Sequence, residues 1–240
     1  MKIRYIEPIG SNIHVPHTQA LLESIAPAGV KVEVVHLNLP DELSGPMLPP
    51  VPLYLNELLS TAIQAEESGC DAVIIGCCSD PALQDVQRVA RIPVIGPLQA
   101  ATAVAASRGK RLAILFPDEH AWQVTENWVR RNLRAYGMAE VVGPIAFVPM
   151  HVEGESSLVG DTSATAETVR MRFHRQLVGP GIETANELLA LDPADAILFG
   201  CTLWGGMVAE VQDSVQALCL DPVLTAFEVA LAQARIASVR

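Results

Sequence analysis

Lysine is almost missing from this chain: 240 residues contain three, at Lys2, Lys31 and Lys110. Each stands where an apolar, strand-like run begins, away from the carboxyl ends of strands, so pyridoxal-phosphate chemistry has no good Schiff-base candidate. Aromatic residues are scarce too, at 5%, whereas Ala, Val, Ile and Leu abound, as suits helices packed closely on a parallel sheet. No apolar run reaches the ~18–20 residues of a membrane span. The opening MKIRYIEPIGS carries basic residues without a continuous apolar core, so no secretory signal is expected. The five cysteines form no repeated C-x-x-C pairs and the six histidines are scattered, which points away from a disulfide framework or a metal site and towards a reduced, cytoplasmic protein. There is no P-loop, no G-x-G-x-x-G and no G-x-S-x-G. A net charge of −11 argues against nucleic acid or an anionic membrane as partner, but not against a small anionic substrate. Neither metal nor organic cofactor is expected.

What is present is a large apolar fraction, 50%, arranged as strand-like runs alternating with helical stretches. Strands are expected at 2–8, 30–37, 71–77, 92–97, 111–117, 140–148, 195–201 and 217–222. The second alternates strongly and suits a position towards a sheet edge. Helices are expected near 15–27, 53–68, 81–90, 98–107, 119–136, 163–190 and 205–214, and from 222 to the end. A Pro- and Gly-rich segment, 38–53, and a polar loop, 151–162, are candidate closing flaps.

The order repeats itself. DAVIIGC (71–77) and DAILFGC (195–201) share a pattern at an offset of 124, VIGPLQAA (94–101) and CLDPVLTA (219–226) at 125, and YIEP (5–8) and ILFP (114–117) at 109. Three echoes in one order predict two pseudo-symmetric α/β lobes, each a mostly parallel sheet flanked by helices. The first would comprise residues 1–97 with 215–240, bringing back the C-terminal helix, and the second residues 98–214. Ligands of parallel sheets bind beyond the carboxyl ends of strands, which is where Cys77 and Cys201 fall. A helix N-terminus following each cysteine would favour thiolate, and its N–H groups could hold an enolate oxygen. If the lobes face each other, the two thiols enter one interlobe cleft from opposite sides. Such a pair suits inversion at a carbon next to a carbonyl: one thiolate removes a proton from one face, and the other thiol returns one to the opposite face.

The residues carrying these motifs resemble the aspartate/glutamate racemase superfamily, most of all its hydantoin and allantoin racemase branch. GCCSDPAL (76–83) is similar to that branch's Gly-Cys-x-x-Asp-Pro-x-Leu segment, GCT (200–202) to its second cysteine motif, IPVIGPLQAA (92–101) to its PV-x-G turn, and LDPVLTAFEVAL (220–231) to its closing segment. The resemblance implies a cofactor-independent racemase of 5-substituted hydantoins or related amino-acid derivatives, a homo-oligomer, with Cys77 and Cys201 as paired bases. The substrate would be a small, hydantoin-like or carboxylate-bearing molecule. The chain departs from the branch at EPIGSN (7–12), at Gln99 and at Trp204. Two alternatives therefore stay open. One is a different Cys-dependent enzyme on the same scaffold (an isomerase, a C–N hydrolase or a decarboxylase); the other is a non-catalytic small-molecule-binding protein.

Substrate contacts are expected from the loops beside the cysteines: Pro8, Gly10, Ser11 and Asn12 after the first strand, Cys78 and Ser79 after Cys77, and Phe116, Pro117 and Thr202 in the second lobe. Glu7 and His120 are candidate auxiliary acid–base groups.

Overall fold

The computed structural model describes residues 1–45, 47–118, 122–149 and 165–239. Its strands fall into two four-stranded parallel sheets of identical connectivity. In the first, β1 (Lys2–Glu7), β2 (Lys31–His36), β3 (Ala72–Ile75) and β4 (Val94–Ile95) lie in the order β2-β1-β3-β4. In the second, β5 (Leu112–Asp118), β6 (Val142–Pro149), β7 (Ala196–Phe199) and β8 (Leu218–Leu220) lie in the order β6-β5-β7-β8. The central strands β3 and β7 are buried along their whole length, which is why AVII and AILF read as continuous apolar runs rather than alternating ones. The alternating β2 is an edge strand, as its pattern predicts.

The duplication extends to individual hydrogen bonds. Where each sheet begins, an aspartate preceding the third strand accepts a backbone N–H from the start of the first. Asp71 takes the amide of Lys2 at 2.6 Å, and Asp195 that of Arg111 at 2.9 Å. Lys110 reaches Asp195 at 3.1 Å, so all three lysines sit at amino-terminal strand ends, opposite the cysteines.

Helices α1 (Val15–Ile25), α2 (Leu55–Glu67), α3 (Leu83–Val89) and α4 (Pro97–Ser107) belong to the first half of the chain. The others are α5 (Trp122–Ala135), α6 (Ala166–Gln176), α7 (Ile182–Leu191) and α8 (Pro222–Ala237). The helix expected over 163–190 is interrupted by a π-helical turn, Leu177–Gly181, where Pro180 removes a ladder N–H. The one expected over 205–214 is instead a pair of 3₁₀ segments, Thr202–Trp204 and Val208–Ser214. Between them Gly206 takes φ +78°, which ends any helical run.

α8 packs its apolar side, including Val223, Phe227 and Leu231, into the core of the first sheet with Tyr5, Ile74 and Ile95. β8 pairs with β7 in the second sheet. We propose that the chain crosses back to the first lobe between these two elements, at Asp221. The Pro-rich segment is partly ordered into 3₁₀ turns, Asp41–Leu43 and Val51–Leu53, and its Met47 packs against the core of the second sheet, as does Ile13.

Candidate active site

Both Gly-Cys pairs leave their sheets in the same way. Gly76 donates its N–H to Ile6 at 2.8 Å and Gly200 to Leu115 at 2.7 Å, each extending the ladder by one rung. The cysteine N–H then turns back onto the last strand residue, Cys77 to Ile75 and Cys201 to Phe199, both at 2.8 Å. Glycine is required at both places because an aromatic ring from the neighbouring strand covers it. A Cβ on Gly76 would stand 2.3 Å from the Tyr5 ring, and one on Gly200 2.7 Å from Phe116.

The two strand ends meet. The Thr202 hydroxyl donates to the Gly76 carbonyl at 3.1 Å, joining the residue after one cysteine to the residue before the other. Cys77 and Cys201 are both half-buried, and Cys77 Sγ lies 3.2 Å from the Ser79 hydroxyl. Burial pushes the Cys78 thiol well up, and the charges of Cys77, Cys201, Asp80 and Asp221 push it further. A thiol so placed stays protonated and packs with Leu98 and Phe116 in a core cluster. The Tyr54 phenol is likewise raised by burial and then by Cys77.

The expected helix N-termini do not follow the cysteines directly. Each cysteine carbonyl instead closes a tight turn, accepting from Asp80 N–H in one lobe and Trp204 N–H in the other, both at 3.0 Å. The nearest α-helix after Cys77 begins only at Leu83, and Cys201 is followed by the 3₁₀ turn Thr202–Trp204, so neither cysteine directly precedes an α-helix N-terminus.

Next to this junction a cleft of ≈ 180 Å³ runs between the lobes, lined by Glu7, His14, His17 and Thr18 on one side and by Arg170, Thr202 and Leu203 on the other. Glu7 ends β1 and is buried, with its Oε1 accepting the Thr18 hydroxyl at 2.7 Å. Burial pushes its carboxyl up to about 7, with the Thr18 bond opposing part of the rise. His17 is held below the usual histidine range by burial and by the Arg170 guanidinium in contact with it. His14, His17, Thr18 and Arg170 escaped sequence reasoning. The first three have a signal in retrospect, since spacings of three and four place them on one face of α1.

Of the other expected contacts, Ser79 and Thr202 stand at the junction. Pro8 is buried, and Gly10 is pressed against Leu39 and Ser44. The Ser11 hydroxyl accepts Ile13 N–H at 3.3 Å, and Asn12 is exposed. None of these four lines the cleft. Phe116 is spent on packing over Gly200 and stacks on Phe147 with ring centroids 5.9 Å apart, and Pro117 pairs in register with Val148. His120 and the loop 151–162 lie outside the described residues. Among the described residues no group of three or more His, Cys, Asp or Glu side chains is placed to hold a metal, and no helix is long and apolar enough to cross a membrane.

Two sheets of identical order, each delivering a Gly-Cys pair to one interlobe junction, define a two-lobed α/β protein. The model of the Asp/Glu/Hydantoin racemase family matches residues 3–230, and the chain belongs to that family. It is 27% identical to a hydantoin racemase from Rhizobium meliloti over 72% of its length, a match spanning 64% of that relative, so under two thirds of it. Among solved structures it superimposes on the allantoin racemase from Pseudomonas fluorescens with a TM-score of 0.76, at 15% identity, covering 98% of this chain and 92% of that one. The allantoin racemase from Klebsiella pneumoniae gives a TM-score of 0.69 at 21% identity, covering 98% and 88%.

Proposed function

We propose that the protein is a racemase inverting a carbon next to a carbonyl, with a 5-substituted hydantoin or a related amino-acid derivative as substrate. The observation that carries this reading is the matched pair of Gly-Cys turns tied together by Thr202 and Gly76. In the reaction, the thiolate of one cysteine takes the proton from the substrate carbon, and the electrons move onto the carbonyl oxygen as an enolate. The thiol of the other cysteine then delivers its proton to the opposite face. The enzyme ends with thiol and thiolate exchanged, ready for the reverse direction, so proton and charge balance without a redox partner. An unperturbed cysteine titrates at about 8.5, near enough to neutrality to serve as both acid and base. The Ser79 hydroxyl donates to Cys77 when that thiol is ionised. Glu7, able to hold or release a proton near neutral pH, serves as an auxiliary group on the cleft wall. Cytoplasmic residence and a homo-oligomeric state belong to the same proposal.

The test is to incubate single enantiomers of 5-substituted hydantoins with the protein in D2O, following optical rotation and the substrate Cα–H signal together. Inversion accompanied by deuterium incorporation supports the proposal. Release of a ring-opened product or of CO2, or isomerisation of an alkene without deuterium uptake, contradicts it.

A further inference from the structure

The segment that carries Cys77 is conformationally strained. Asp80 and Ala82 both sit in the left-handed region, at φ 47° and 53°, which a residue with a side chain rarely adopts. Such a conformation persists only when its surroundings hold it. Three sets of bonds do so. The Asp80 carboxylate accepts Leu98 N–H at 3.1 Å and Gln99 N–H at 2.8 Å, capping α4 from outside, because the N-cap residue Gly96 has no side chain. A Cβ on Gly96 would stand 2.4 Å from that carboxyl carbon. The other two come from α5 and the residue just beyond it. Tyr136, just beyond α5, donates its hydroxyl to Asp80 Oδ2 at 2.9 Å. Asn132, on α5, donates to the carbonyl of Ser79 at 2.8 Å and to that of Asp80 at 3.4 Å. Asn132 and Asp80 are both buried, and a buried polar group that loses its partner is costly.

We propose that Asn132 and Tyr136 are positioning residues for Cys77: the second lobe, through α5, clamps the strained Ser79–Asp80 turn and thereby fixes where the first lobe's thiol stands. The catalytic half of the proposal rests on Cys77 being one of the two acid–base groups; the positioning half does not. Among the described residues, the turn after Cys201 has different partners. Trp204, three residues beyond Cys201 as Asp80 is beyond Cys77, is buried in the core with its indole N–H donated to Phe173 at 3.1 Å. The corresponding helix α8 is capped by its own Asp221. The residues three beyond each cysteine thus have different partners, so a change at α5 is expected to act on Cys77 first.

The experiment compares Asn132→Ala and Tyr136→Phe with the parent chain. Iodoacetamide labelling rates of Cys77 and Cys201 are read separately by peptide mass spectrometry across pH 6–10, with circular dichroism melts as a control for folding. Racemisation kinetics on the substrate that turns over are measured in parallel. The expected result is a change of roughly 3-fold or more in the Cys77 labelling rate with Cys201 unchanged, and a kcat lowered ~10-fold or more with KM nearly constant, since misplacement by about 1 Å can cost as much as ~100-fold. Cys77 labelling that is unaltered in both folded variants, or Cys77 and Cys201 changing in parallel, overturns the positioning role. A shifted Cys77 profile with normal turnover keeps the clamp and removes Cys77 from the chemistry, which separates failure of this inference from failure of the racemase reading. If Asn132→Ala does not fold, Tyr136→Phe, which deletes one oxygen and keeps the ring, decides.

Discussion

Glu7 is a carboxyl buried at a strand end and pushed up to about 7, and burial pushes Asp80 up to about 7 as well. A carboxyl whose folded value lies above its unfolded one binds more protons folded than unfolded. Their contribution to stability is therefore greatest below the unfolded values near 4, is lost as pH rises through the window up to about 7, and stays lost above it; His17, held below its usual range, opposes them. Chemical denaturation at pH 5 and pH 8 should find the protein less stable at pH 8. Glu7→Gln, which keeps the Thr18 contact without a charge, should flatten that slope and raise stability at pH 8. An unchanged slope would show that Glu7 ionises freely in the fold. At Gly76, Ala would drive a methyl into the fully buried Tyr5 ring, an overpacking cost of about 1–3 kcal/mol. Gly45→Ala makes no contact within 4 Å and should stay within about 0.5 kcal/mol of the parent in urea denaturation, where Gly76→Ala shows its full loss.

At the scale of elements, the two lobes cap equivalent helices with carboxylates drawn from different places. For α8 the carboxylate is its own N-cap, Asp221, accepting Val223 N–H at 2.9 Å and Leu224 N–H at 3.0 Å while its second oxygen takes Gly206 N–H at 2.7 Å. Asp221→Ala should cost about 1–2 kcal/mol in thermal or urea unfolding, and Asp221→Asn should recover part of it; equal loss from both would point to charge rather than capping. Strand positions and the paired cysteines were legible in the sequence because a strand buried on both faces must be written as a continuous apolar run. The Asp-Ala…Gly-Cys pattern repeats because the same turn is made twice. The capping of α4 by Asp80 was not legible, since nothing in GCCSDPAL says that its aspartate serves a helix 17 residues further on. Nor was the break at Gly206, where 205–214 satisfies a helical pattern and backbone geometry overrules it.

For the molecule as a whole, the junction between lobes is where sequence reasoning ran shortest. His17 and Arg170 are 153 residues apart and come into contact only when α1 of one lobe faces α6 of the other. No local periodicity encodes such a contact. Phe116 shows the converse: an aromatic at a strand end suggested a ligand contact, but its ring is needed to cover Gly200. What the lobes jointly present is a pair of Gly-Cys turns joined through Thr202 and Gly76, and we propose that each thiol works on one face of the same carbon. The most direct measurement is solvent-deuterium exchange by Cys77→Ser and Cys201→Ser, each given the two enantiomers of a 5-substituted hydantoin separately in D2O. Each variant should lose inversion yet exchange the α-proton of one enantiomer, with the preference opposite in the two variants, because a single remaining thiol reaches a single face. Two variants that exchange the same enantiomer, or either one still racemising at the parent rate, would contradict the account.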